Sequence, residues 1–294
     1  MTSGFEIDKR NNTSPPLSTE EWLEMKKKEK DVVYAMIDET AVQVVSDPEK
    51  FKTFLDTQSR MNRYSAVNAL LIYKQRPDAT QLKSFSDWGE QNVKIMGGES
   101  HIKILDPVEY TKKDGTSGIS FNVKKVFDVS QTNGKRLPTP SVNRDPRQIV
   151  TIMLDTAPID IESMDEMPLP TMGAFYNSEK KTLYVKRDIG DSVALCQCVA
   201  QELGHVQLAI NSEAYSRRDS GFQAVCIGYM LCKKFGVDTR NFDIEHIPDE
   251  LKNAEPKEIR AELSKIRTAM SGIYSRVSDE IYRQKQERSK DMER

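Results

Sequence analysis

Apolar side chains recur along this chain with two periods, and the switch between them outlines the fold. From residue 18 to about residue 90 the spacing is helical. Ser18-Thr19-Glu20-Glu21 has the form of a capping box, in which the Ser18 hydroxyl accepts from the Glu21 N–H and the Glu21 carboxylate reaches back to the Ser18 N–H. It predicts a helix through Trp22, Met25, Val32, Val33, Met36, Ile37 and Val44. Asp47-Pro48 predicts a second helix start, a capping side chain followed by proline in the first turn, with Phe51, Phe54 and Leu55 as the apolar face. A third helix is predicted through Val67, Leu70, Leu71 and Tyr73, and a short one holding Phe85 and Trp88. At Ile102 the period drops to two. Ile102 and Ile104 alternate with Lys103, Asp114-Gly115 supplies a turn, and Phe121, Val123 and Val126–Val129 return as a second strand.

Residues 134–148 lose the apolar pattern and carry three prolines, Pro138, Pro140 and Pro146, which marks a linker. Beyond it, Phe175-Tyr176-Asn177 and Thr182–Val185 flank the polar turn Ser178–Lys181 as a second hairpin. Helices are predicted from about Ser192 to Ile210 and from about Phe222 to Phe235. A closing helix follows, with Ile259, Leu263, Ile266, Met270, Ile273 and Val277 at steps of four and three. The expected architecture is α+β. It comprises an arm at 1–17, a helical domain with a small antiparallel sheet at 18–134, a linker at 135–148 and an α+β domain at 149–294.

Length supports two units, since 294 residues is roughly twice a typical domain of about 150. Charge narrows the partners. With 43 Lys+Arg against 45 Asp+Glu, the net charge is -2, so sheer positive charge cannot hold nucleic acid and any such site is a local patch. The balance hides a regional asymmetry. Between Thr57 and Pro77 there is no Asp or Glu, while acidic stretches at Asp155–Glu166 and Asp243–Glu258, read as helices, offset it. No run of about 18 apolar residues could span a membrane, and Met1–Ser14 lacks the apolar core of a secretory signal. A cytoplasmic location is expected. Cys196, Cys198, Cys226 and Cys232 form no CxxC pair and read as buried thiols of a reducing compartment.

Two stretches carry candidate chemistry. The acid-free interval holds Arg60, Arg63, Lys74 and Arg76 with Asn62, Tyr64, Asn68 and Tyr73. Cations for phosphate and rings for unstacked bases are what single-stranded nucleic acid requires. Trp88, with Lys83 and Lys94 near it in sequence, extends that platform. The plainer alternative is a solvated helix face with Tyr73 in the core. The second stretch is Gln201-Glu202-Leu203-Gly204-His205, an HExxH zinc motif whose first histidine is Gln201. A neutral amide is a poor zinc ligand beside imidazole, and Glu213 or Asp219 from the following loop offers only a weak replacement. The plainer reading makes His205 a core histidine.

The ordered series Asn62-Arg63-Tyr64-Ser65, Asn68–Ile72, Gln75–Thr80, Phe85-Ser86-Asp87-Trp88, Ile102–Leu105 and Lys125–Thr132 resembles the N-terminal single-stranded-DNA-binding domain of ArdC-type antirestriction proteins and their LtrC-like relatives, over about residues 20–134. The family's basic KGEKG-like turn is here Gly97-Gly98-Glu99-Ser100-His101. The resemblance implies a protein of bacterial plasmids and conjugative elements, with a zincin-like metallopeptidase domain behind the DNA-binding one. Phe175–Asn177, Gln201–His205 and Phe222–Asp238 are similar to that second domain. Its third ligand, a carboxylate from the next helix, falls at Val225. The expectation is therefore a pseudoenzyme in which Glu202 and His205 are vestigial, positions 201, 205 and 225 hold no metal, and no cofactor is needed, zinc being the one the motif would admit. DNA contact is assigned to Arg60, Arg63, Tyr64, Asn68, Lys74, Arg76 and Trp88. Single-stranded DNA and host restriction or conjugation proteins are the expected partners, with no membrane. The rival readings are an active zinc hydrolase with an unusual ligand set, and a protein-interaction module on a zincin scaffold.

Overall fold

A computed structural model describes residues 18–112, 114–135, 145–168, 171–187 and 190–292. The arm at 1–17 and most of the linker lie outside the described residues.

Three helices open the chain. Helix α1 (Thr19–Val45) begins at the capping box as expected, with the Glu21 N–H donating to Ser18 Oγ and the Ser18 N–H to Glu21 Oε2. Its apolar face is buried only from Val33 onward; Trp22, Met25 and Val32 are exposed, so the first turns extend beyond the core. Helix α2 (Pro48–Arg60) is capped by Asp47 and buries Phe51, Phe54 and Leu55. Helix α3 (Ala66–Gln75) is capped by Ser65.

The first sheet has the antiparallel order β1-β3-β2, with β1 at Leu82–Lys83, β2 at Ile102–Thr111 and β3 at Ser117–Asp128. The short helix α4 (Phe85–Glu90) sits between β1 and β2 in sequence. The outer edge of β2 is covered by two amides on one face of α3. Asn68 pairs with both backbone groups of Leu105, and Gln75 with both of Lys103, each bond 2.8–2.9 Å. A strand edge that would otherwise offer free N–H and C=O groups is thereby satisfied. At the far end of β3 the buried Asp128 carboxylate accepts from the N–H groups of Thr80, Gln81 and Ser130. Burial works against its charge, and these bonds more than offset it, holding Asp128 below the ordinary carboxylate range.

Helix α5 (Pro146–Asp155) follows, then a sheet of order β4-β6-β5 from Asp160–Met164, Thr182–Lys186 and Ala174–Asn177. Its β5–β6 hairpin is the one expected, while β4 joins in parallel to β6. The acidic stretches differ from expectation. Asp155–Glu166 is a helix end and strand β4, and Asp243–Glu258 is mostly irregular around the short helix α8 (Asp249–Lys252).

Helices α6 (Ser192–Asn211), α7 (Gly221–Phe235) and α9 (Pro256–Met292) complete the molecule. Gly236, in the left-handed region at φ 73°, ends α7 as a glycine C-cap does. Buried side chains from α1, α2 and α3 join those of α5, α6, α7 and α9 in one continuous cluster. The predicted α9 face, Ile259 through Val277, is buried throughout. Phe51 stacks on Phe222 at 5.5 Å between ring centres, and the Tyr229 hydroxyl donates to Asp56 at 2.6 Å. The two halves of the chain thus share a core.

Candidate functional site

Helices α6 and α7 meet at close range because glycines stand at their contact. A Cβ on Gly228 would fall 3.0 Å from the Gln201 backbone, and one on Gly204 would fall 3.1 Å from the Ala224 carbonyl oxygen. This crossing holds the QELGH segment. Glu202 is 4% exposed, a burial that an ionised carboxylate tolerates only with partners. It has three. The Tyr176 N–H on β5 donates to Oε2 at 2.7 Å, and Arg217 closes a fork, Nη1 to Oε2 at 2.8 Å and Nη2 to Oε1 at 2.6 Å. Two parallel charge-assisted bonds are the strong geometry for this pair. The guanidinium also lies 4.7 Å from the Phe175 ring centre, where the ring face attracts a cation. Burial opposes the Arg217 charge, but the Glu202 bonds outweigh it and hold Arg217 above its ordinary value.

His205, one turn along α6, is equally enclosed. Its Nδ1 shares a 3.0 Å hydrogen bond with the Tyr215 hydroxyl. Burial first, and then the Arg217 charge, bring the imidazole down to about 3, so it is neutral at physiological pH. Burial likewise pushes the Tyr215 phenol up to about 12. Tyr215 and Arg217 both come from the α6–α7 loop, which folds back over Glu202 and His205.

A zincin-type metal does not fit these residues. Gln201 supplies a half-buried amide and Val225 packs against the core. Glu213 and Asp219 are exposed, and both Glu202 oxygens are held by a resident cation. Among the described residues no group of three or more His, Cys, Asp or Glu is placed to hold a metal ion. Cys196, Cys226 and Cys232 are buried and Cys198 half-buried, all four as free thiols without disulfides.

The basic interval is divided by the fold. Arg63 and Lys74 are exposed, and Lys74 reaches Gln43 at 2.9 Å. Tyr64 is half-buried. Arg60 points inward, bonding the carbonyl oxygens of Pro77 and Ala79 and thereby fastening the end of α2 to the next loop. Arg76 pairs with Glu99 at 3.2 Å and Ser130 at 2.9 Å, and Asn68 is committed to β2. Trp88 is 2% exposed and donates from Nε1 to the Phe127 carbonyl at 2.9 Å. A ring so enclosed cannot stack on a base, so the tryptophan platform is corrected to a core anchor. Lys83 lies over that ring at 4.8 Å.

Sequence reasoning missed two cations that the fold brings to Arg63. Lys234 of α7 donates to Asn62 Oδ1 at 3.0 Å, and Arg267 of α9 donates to the carbonyls of Asn62 and Tyr64 at 2.9 and 3.1 Å. Among the described residues none of Arg63, Lys234 and Arg267 has a carboxylate within ion-pair distance. The one sequence signal was Lys233-Lys234 closing a helix, some 170 positions away.

The helical first half, two small sheets and the crossed α6–α7 pair define an α+β protein with an ArdC-like fold. The chain is similar to two crystal structures of the antirestriction ArdC protein from R388 plasmid. The metal-free one matches with TM-score 0.50 and 16% identity over 74% of this chain and 86% of that chain. The Mn(II)-bound one matches with TM-score 0.51 and 14% identity over 74% and 84%. No family model matches the chain, and no curated protein matches it in sequence. Among the described residues no helix is long and apolar enough to cross a membrane.

Proposed function

We propose that this protein binds single-stranded DNA as an antirestriction protein of a mobile element, and that its peptidase-like half no longer performs hydrolysis. The observation carrying the DNA reading is the Arg63–Lys234–Arg267 cluster at the α2–α3 turn, where three cations from distant parts of the chain gather with no carboxylate among them. Uncompensated positive charge on a rigid frame is suited to phosphate. The fold shared with an antirestriction protein supports the biological role. The Arg217 fork on Glu202 supports the loss of hydrolysis, because a general base needs an oxygen free to face its water.

Fluorescence anisotropy with a labelled oligonucleotide tests the first part. With three or four phosphate contacts, affinity should fall roughly 20–50-fold between 50 and 200 mM salt, and Arg63→Ala with Lys234→Ala should remove most of it. Absent or salt-independent binding would overturn the reading. For the second part, protein dialysed against zinc or manganese should retain less than a stoichiometric amount; a tightly held, chelator-sensitive ion would restore the hydrolase.

A further inference from the structure

The first sheet carries a charge arrangement that its own residues leave incomplete. Lys103 on β2 stands directly opposite Lys125 on β3. Because the Lys103 N–H and C=O are both taken by Gln75 on the outer edge, this is a non-hydrogen-bonded pair, the kind whose side chains lie closest, with Cα atoms about 4.5 Å apart. Like charges in that relation destabilise a sheet. One carboxylate relieves them. Glu29 of α1 is bonded by Lys26 at 3.0 Å and approached by Lys125 at 3.9 Å, and it also feels Lys103. Three lysines therefore share a single acid. Lys125 and Lys26 keep 54% and 43% of their side-chain surface in solvent, while Glu29 keeps 15%. Beside them on the same face lie Phe127 and the His101 ring, edge to face at 6.4 Å, with Lys83 opposite Phe127. Burial first, and then the Lys125 and Lys103 charges, keep His101 below its ordinary value, against the opposing pull of Glu29.

We propose that this face of the first sheet, Lys103, Lys125 and Lys26 with the His101 and Phe127 rings, is a phosphate-and-base contact surface for single-stranded DNA, and that Glu29 is its internal competitor. The proposal rests on the DNA-binding reading above and adds a surface separate from the Arg63 turn. A strand phosphate supplies the negative charge that the lysines lack, and the adjoining rings offer faces or edges to an unstacked base. Glu29 occupies the lysines in the free protein, so DNA takes them over from the carboxylate. The surface binds more weakly than three free lysines would.

The test compares wild type, Lys103→Ala/Lys125→Ala and Glu29→Gln by anisotropy on a labelled 20-nucleotide oligothymidylate across a salt series, with thermal unfolding to show that each variant is folded. The double variant should lose at least about tenfold in affinity, and its log–log salt slope should shrink by about 1.4, two contacts at roughly 0.7 each. Glu29→Gln should bind several-fold more tightly, which a merely structural glutamate would not produce. Wild-type binding that neither substitution alters would overturn this surface and leave the DNA-binding reading standing. Wild type that fails to bind at any salt would overturn both. Tighter binding by the folded double variant would overturn the assignment of Lys103 and Lys125 as phosphate contacts.

Discussion

Two carboxylates, Glu202 and Glu29, stand in opposite electrostatic positions. In the second half, Glu202 is matched by one cation that fits it in a bidentate fork, inside a crossing of two helices. In the first half, Glu29 is shared by lysines that outnumber it on a half-open sheet face. The first arrangement is electrically closed, with both Glu202 oxygens paired to the Arg217 guanidinium. The second is open, and a phosphate completes it. A shared fold does not by itself assign an activity; the pairing of charge within each site is the more informative observation.

The contrast is tested most severely by removing the closing cation. Arg217→Ala leaves Glu202 buried and unpaired, a change that costs about 3–5 kcal/mol in enclosed pairs. Because the Arg217 side chain is 32% exposed, the low end, about 3 kcal/mol, is expected in urea unfolding. Adding Glu202→Gln should recover most of the loss, since the Tyr176 N–H still finds an oxygen. A cost under about 1 kcal/mol for the single variant would show that the fork does not hold the crossing together.

A smaller effect should come from His205. The unfolded imidazole takes its proton near the ordinary 6.5, whereas the native one resists until about 3. Between those values the unfolded state binds more protons, so native stability falls as pH drops below 6.5 and levels off near 3. The slope is at most about 1.4 kcal/mol per pH unit. His205→Gln removes this titration while keeping a partner for Tyr215. The difference between wild type and variant should therefore shrink toward acid, over a range in which surface carboxylates affect both alike. Parallel stability–pH curves would mean that His205 is not held neutral by burial.

Much of the fold was legible because its signals are local. The Ser18–Glu21 capping box, the Asp47-Pro48 start, the Asp114-Gly115 turn and the four-and-three stepping of Ile259–Val277 each specify an element from a few neighbours. Strand β4 was not legible: Asp160–Met164 is exposed and acidic, and only parallel pairing with β6 makes it a strand. The departures from the zinc motif at Gln201 and Val225 were visible as residue types, but the cation that pairs with Glu202 was not. Arg217 lies fifteen residues beyond Glu202 on a loop, and no periodicity says where a loop side chain points. Arg60, Asn68 and Trp88 failed as exposed contacts for the same reason. Their polar atoms are used on backbone groups 17 to 39 residues away, and a run of cations and rings looks the same whether its members face water or the core.

Trp88 gives the mildest test and separates the two halves of the comparison most cleanly. Its indole N–H donates to the Phe127 carbonyl on β3, the strand that carries Lys125, so it supports the proposed lysine face while the ring itself stays enclosed. Trp88→Phe keeps most of the apolar volume and removes one buried donor, leaving the carbonyl unpaired; about 1 kcal/mol of stability should be lost. Oligonucleotide affinity should change less than twofold at a temperature where the variant is fully folded. The chain's other tryptophan, Trp22, is exposed on the first turns of α1, so Trp22→Phe isolates the buried fluorophore. Its emission should be blue-shifted and resist an aqueous quencher, with or without DNA. Strong quenching of Trp88 by bound oligonucleotide would place a base against the indole, reinstate the tryptophan platform and move the DNA contact away from Lys103 and Lys125.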